Sequence, residues 1–303
     1  MIVRWGLEEL PGVLDDVGIE RPLLVASQRW DALAIPAESR WSEIPSDRIE
    51  VPRDVDGILA VGGGSAIDTG KAASAASALP LVSVPTTYSG AEWTSFFGIR
   101  SPDRRQVGGG AGARLAGVVY DQDLTLELPR AASGGTALNA LAHCVEALYP
   151  GELAVARRGA AGIDQWLPRV LEDGRDREAR TRLLEAACDA GQALAAHGLY
   201  LGHAMAQAVG GRYGLPHGAM NAICLPPAMR FNAEVAPWAM TAVPVERVEE
   251  LARLAGFRRL REFGVPEDDL DELGAAAAAR PGAQANPRPV RAAEVADLYR
   301  SVW

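Results

Sequence analysis

The chain is almost without lysine. Lys71 is the only one among 30 basic side chains, the rest being arginine. Cysteine is scarce as well. Cys144, Cys188 and Cys224 are too few and too scattered for a disulfide framework or a zinc ribbon, so three small buried hydrophobes are expected. No apolar run approaches the ~18 residues that a membrane helix needs. The opening MIVRWGLEEL lacks a basic stretch followed by an apolar core, so no secretion signal is read and a cytoplasmic location off the membrane is expected. Positive charge is in deficit too: a formal net charge of −9 argues against nucleic acid, whose phosphates select basic surfaces. What remains is an ordinary globular balance over 303 residues, long enough for two domains with cores of their own.

Up to about residue 129 the sequence alternates short apolar runs with glycine-rich turns and small-residue helical stretches, the pattern of a parallel α/β sheet. Residues 22–27 (PLLVAS), 57–61 (GILAV), 80–85 (PLVSVP) and 117–121 (GVVYD) read as strands covered on both faces. Beyond Pro129 the texture changes to Ala/Leu-rich helical periodicity. Leu138, Leu141, Ala142, Val145 and Leu148 share one stripe, and further helices are expected over about 180–209 and 245–254. A Pro/Gly/Asn turn region at 279–290 precedes a last short helix. The division expected is 1–129 as an α/β nucleotide-binding domain and 130–303 as an all-helical domain.

Residues 57–78 (GILAVGGGSAIDTGKAASAASA) place Gly62, Gly63 and Gly64 between a strand and a helix that Ser65 would cap. Such a turn lets the backbone approach a pyrophosphate, and the N–H groups of the following helix hold the anion. The spacing is neither G-x-G-x-x-G nor a Walker A loop, so taken alone it is equally a bare tight turn. Lys71, in that helix, either reaches back toward phosphates, the reading favoured here, or covers surface.

There are only four histidines. His143 lies four residues after Asn139 on a helix, so the two share a face. His203 and His217 are separated by a Gly-Gly pair and a proline that would end the first helix and fold His217 back. The three imidazoles, from two helices and a loop, are expected to form one cluster; His197 is left as surface or structure.

Read whole, GGGSAID with TGKA, then PTTYSGAEWTSFFGI (residues 85–99), NALAHCVEALY, the pair His203 and His217, and the late ANPRPV resemble maleylacetate reductases of the iron-dependent alcohol dehydrogenase superfamily. The resemblance implies an α/β dinucleotide-binding domain with a parallel sheet followed by an all-α catalytic domain, the dehydroquinate synthase-like fold. It implies NAD(P)H as cofactor, held by Gly62, Gly63, Gly64, Ser65, Asp68, Lys71, Thr86, Thr87 and Ser89. The strand expected at the adenine ribose ends in Ser27 rather than an acidic residue, so either NADH or NADPH is admitted. Asn139, His143, His203 and His217 fall where the superfamily holds Fe(II) or zinc with one Asp and three His. An amide at 139 removes the anionic ligand, so an obligatory metal is not expected. Gln207 stands where maleylacetate reductases commonly carry a further histidine, which leaves His203, one turn earlier, as the proton donor. The resemblance further implies a homodimer acting on a small carboxylate, and hydride transfer to the C=C of an oxo-enoate such as maleylacetate, with Asn139, His143, His203 and His217 as catalytic residues. Arg104, Arg105 and Arg230 are candidate carboxylate clamps. The alternatives are a metal-dependent alcohol dehydrogenase or aldehyde reductase, and a repurposed non-redox pathway enzyme.

Overall fold

The computed structural model describes all 303 residues, and the chain divides into two compact units, Met1–Leu128 and Pro129–Trp303. The first contains, in chain order, β1 (Ile2–Trp5), α1 (Leu10–Asp16), β2 (Pro22–Ala26), β3 (Ser39–Trp41), β4 (Gly57–Gly62), α2 (Gly64–Ser77), β5 (Pro80–Pro85), β6 (Phe97–Arg100), β7 (Gln106–Gly110) and β8 (Arg114–Tyr120). Six of the strands form one parallel sheet in the order β1-β8-β5-β4-β2-β3, and β6 and β7 pair as an antiparallel hairpin.

The four strands read from apolar runs are the four central ones. β2 and β4 are buried at every position, so both faces select Leu, Ile, Val and Ala. The edges β1 and β3 carry partly exposed residues such as Arg4 and Arg40 and give no continuous run. The hairpin, with QVGGG as its second strand, is glycine-rich and mostly exposed. Two apolar layers cover the sheet. One includes Leu10, Val13, Leu59, Val61, Val82 and Val119; the other includes Val25, Ile58, Ala60, Ile67 and Leu81.

The second unit is wholly helical: α3 (Arg130–Ala147), α4 (Ala154–Glu172), α5 (Arg177–His197), α6 (Leu201–Tyr213), α7 (His217–Asn232), α8 (Pro237–Met240), α9 (Val245–Leu254), α10 (Leu270–Ala278), α11 (Pro281–Gln284) and α12 (Ala292–Ser301). No helix is long and apolar enough to cross a membrane. All three cysteines are free and buried, as small hydrophobes.

Three local expectations are corrected. The single helix expected over 180–209 is two, α5 and α6, because Gly198 closes the first at φ 76° and Tyr200 is extended. The Gly210-Gly211 pair does not break α6. The helix runs through it to Tyr213 and stops at Gly214, whose left-handed φ of 68° is the conformation that only glycine adopts at low cost. His217 is accordingly the first residue of a helix and not part of a loop. Finally, α2 is capped by Gly63, with no side-chain cap, and Ser65 lies within its first turn.

Helices α3 and α7 cross at a point without side chains. A Cβ on Gly218 would stand 2.3 Å from the backbone oxygen of Gly135, so the start of α7 sits directly on the backbone of α3. Gly218→Ala is therefore expected to destabilise the chain by ~1–3 kcal/mol, the cost of overpacking where no flexible side chain can yield. Urea denaturation measures it, and an unchanged midpoint would refute the close crossing.

Candidate functional site

The glycine turn links β4 to α2, and Gly63, Gly64 and Ser65 are its residues that reach solvent. It lies against the segment that follows β5. The Thr86 N–H donates to the Gly62 carbonyl at 3.0 Å, and a Cβ on Gly63 would meet the Thr87 Cγ2 at 2.8 Å. A Cβ on Gly64 would meet the Ser89 Oγ at 3.4 Å. Both segments sit at the carboxyl ends of adjacent parallel strands, the usual place for a nucleotide in open α/β sheets. Because a glycine caps α2, no side chain claims the first-turn N–H groups, and the Thr87 Oγ1 is buried without a partner. These features fit a pyrophosphate and its attached ribosyl-nicotinamide.

Lys71 is not part of that cradle. Its ammonium is buried and donates to Phe96 O at 2.9 Å, Thr94 Oγ1 at 3.1 Å and Asp68 Oδ1 at 3.3 Å. Three acceptors saturate its three N–H bonds, so the only lysine ties α2 to the segment entering β6. Burial pushes its pKa down, against the opposing pull of Asp68. The Asp68 carboxylate also accepts from the Gly98 N–H at 3.3 Å, and burial raises its pKa. Both residues, expected at the cofactor, are occupied in holding the hairpin to the helix.

In the helical unit the three expected imidazoles do gather. The His143 and His203 rings stack with centroids 4.8 Å apart at 12°, and His203 and His217 lie 5.9 Å apart. His143 and His203 are buried, while His217 is half-buried. His197 is elsewhere, with its Nδ1 2.5 Å from the Ala147 carbonyl near the end of α3.

The sequence reading missed the residue that organises the cluster. Glu146, on α3 and fully buried, accepts from the Tyr200 N–H at 2.7 Å, the His203 N–H at 3.1 Å and the His203 Nδ1 at 2.8 Å. One carboxylate thus satisfies two backbone donors at the start of α6, where the helix dipole favours negative charge, and also fixes the His203 ring. With Nδ1–H committed to Glu146, proton exchange at His203 falls to Nε2, which is buried and has no protein partner. The signal in the sequence was its position: Glu146 follows His143 by three residues on the same helix face.

Asn139 is met by a second amide that sequence reasoning also passed over. Asn221 Nδ2 donates to Asn139 Oδ1 at 2.7 Å and lies 3.0 Å from His217 Nε2, while Asn139 Nδ2 lies 3.4 Å from His143 Nε2. An amide N–H only donates, so these contacts turn the Nε2 lone pairs of His143 and His217 toward amide protons. Asn139 Oδ1 is likewise engaged. No group of three or more His, Cys, Asp or Glu side chains is arranged to hold a metal ion. The donor set Asn139, His143, His203 and His217 lacks an anionic ligand, and its oxygen and two of its nitrogens face N–H donors, an arrangement that suits iron or zinc poorly.

Arg104 and Arg105 lie in the exposed turn between β6 and β7, and Arg230 is paired with Glu249 at 2.7 Å.

The region 133–303 matches the family model "Fe-containing alcohol dehydrogenase family, C-terminal", and 50–119 matches "Iron-containing alcohol dehydrogenase". The chain is 32% identical to a maleylacetate reductase of Pseudomonas sp. (strain P51), over 86% of this chain and 78% of that protein. Among solved structures it is similar to maleylacetate reductase from Rhizobium sp. strain MTP-10005 (TM-score 0.85, 26% identity, 100% of this chain and 95% of that one). An iron-containing alcohol dehydrogenase from Corynebacterium glutamicum is similar to the same degree (TM-score 0.86, 27% identity, 100% and 94%).

Burial, and then the charge of His203 and His217, hold the His143 pKa well below its ordinary value. An unfolded His143 binds a proton below about pH 6.5 that the folded one refuses, so stability falls on acidification by up to ~1.4 kcal/mol per pH unit. His143→Gln is expected to flatten that slope in urea unfolding compared between about pH 7.5 and about pH 5.5. Equal slopes in the two proteins would show that His143 is not held neutral.

Proposed function

We propose, since the chain belongs to the iron-containing alcohol dehydrogenase family and is an oxidoreductase, that it reduces the C=C of an oxo-enoate such as maleylacetate to give 3-oxoadipate, using NAD(P)H. The observation that carries the reading is the His203 ring, locked by Glu146 with Nε2 left for proton exchange, beside an amide-bound Asn139 that does not suit a metal.

Gly63, Gly64, Ser65, Thr86, Thr87 and Ser89 would hold the dinucleotide, which when bound supplies the hydride. Hydride arrival at the β-carbon moves charge onto the keto oxygen as an enolate, which needs preorganised donors. His143, held neutral with Nε2 facing the Asn139 amide, carries its proton on Nδ1, and that buried N–H has no protein acceptor. It is suited to stabilise the enolate oxygen. The α-carbon then requires a proton, which a doubly protonated His203 ring delivers from Nε2, returning to the neutral Nδ1–H form that Glu146 keeps oriented. The added hydride and proton together make the new C–H bonds, and no metal enters the scheme. Ser27, directly after β2, offers no carboxylate that would repel a 2′-phosphate, so either reduced nucleotide is admitted.

Turnover of maleylacetate, followed by loss of the reduced-nicotinamide absorbance, is expected to survive EDTA. Loss of activity on chelation, restored by Zn²⁺ or Fe²⁺, would favour the metal-assisted carbonyl reductase instead, and no turnover with any oxo-enoate would remove the substrate assignment. Glu146→Gln is expected to lower kcat by ~10- to 100-fold while leaving cofactor affinity unchanged, as when a ring-orienting partner is lost. A normal kcat in this variant would show that the carboxylate only caps α6.

A further inference from the structure

Helix α6 carries His203 and, four residues later, Gln207, so the two side chains share a face one turn apart. Within 201–210 Gln207 is the one residue not buried, the point at which this stretch of the histidine-bearing helix reaches solvent. It is held by Arg280, which lies between α10 and α11: Nη1 donates to Gln207 Oε1 at 3.3 Å and Nη2 to the Gln207 carbonyl at 3.2 Å.

Arg280 differs in charge balance from other arginines of the helical unit. Arg212 meets Asp269 and Glu272, Arg230 meets Glu249, and Arg300 meets Asp271 and Asp297. Half-buried Arg280 meets only the neutral amide and carbonyl of Gln207, and its Nε–H is buried without an acceptor. Desolvation lowers its pKa, yet a guanidinium stays charged at any working pH. A partly desolvated cation with unfilled donors is costly unless an anion completes it. Of its five N–H bonds two are spent on Gln207 and the Nε–H is buried, leaving one N–H on each of Nη1 and Nη2, the two nitrogens with which a guanidinium can grip a carboxylate end-on.

We propose that Arg280, steadied by Gln207, grips a carboxylate of the substrate and thereby sets the carbon skeleton against His203. The assignment rests on the histidine centre being the site of reduction. It makes the enzyme selective for oxo-acids over neutral enones, and it gives Gln207 the role of a positioning residue that holds the guanidinium in place.

The test compares wild type, Arg280→Met and Arg280→Lys with maleylacetate and each of its two monomethyl esters, alongside calorimetric titration with 3-oxoadipate and with succinate. Arg280→Met is expected to weaken 3-oxoadipate binding by ~10- to 100-fold, the loss of one charge-assisted contact, with cofactor affinity unchanged. Arg280→Lys, which keeps the charge but not the fork, should recover part of it. Against the diacid the loss should fall mainly on KM. One monoester, blocked at the carboxylate that Arg280 grips, should be poor in wild type and lose nothing further in Arg280→Met. Equal losses for the diacid and both esters, or undiminished 3-oxoadipate binding by a folded Arg280→Met, would overturn the proposal. So would a wild type that binds neither 3-oxoadipate nor succinate. A wild type that reduces no oxo-enoate but binds either dicarboxylate in an Arg280-dependent way would sink the reaction assignment and leave that of Arg280 standing.

Discussion

A single buried carboxylate organises the helical unit. Glu146 takes two backbone N–H donors from the start of α6 and the Nδ1 of His203, so the same group that terminates a helix correctly also sets the tautomer of the imidazole. A carboxylate fully out of water is tolerable only when its lone pairs are filled by such donors, and removing one member of a buried pair of this kind typically costs ~3–5 kcal/mol. Structural need and the proposed chemical use are therefore joined in one side chain. Helix α6 cannot rotate or slide along α3 without breaking the contact that aims His203.

The remaining two imidazoles are held by a gentler device. Asn139 and Asn221 form an amide pair whose N–H groups face the Nε2 atoms of His143 and His217. Where a cation would draw three lone pairs to one point, these amides donate protons into two of them. The result is a compact cluster of hydrogen-bonding rings, buried at His143 and His203 and opening at half-buried His217. Such a cluster suits stabilisation of an enolate and delivery of a proton.

The α/β unit shows the opposite economy, with charge used to hold structure and uncharged backbone left for the ligand. Lys71 and Asp68 neutralise each other beneath the hairpin, and Lys71 is fully saturated there. The turn itself consists of glycines whose missing Cβ atoms make room for Thr87 and Ser89. A dinucleotide would be met by the helix start and by hydroxyl groups, which suits a cofactor that must exchange at every turnover.

How much of this was legible beforehand depended on range. The central strands announced themselves because both of their faces are largely buried and most of their residues are apolar, whereas β1, β3 and the glycine-rich hairpin, exposed on at least one side, left no such trace. Asn139 and His143 could be placed together because helix geometry relates residues four apart without help from the rest of the chain. The sequence by itself determined these local periods and the residue types that a turn or a helix face can accept. Only the tertiary structure decided that Glu146 meets His203 across 57 positions, Asn221 meets Asn139 across 82, and Arg280 meets Gln207 across 73. The same packing turned Lys71 inward, onto Asp68, Thr94 and Phe96. Backbone geometry fixes neighbours within a few residues; which distant polar groups meet is settled by how helices stack, because a buried donor must find whatever acceptor the packing brings within reach.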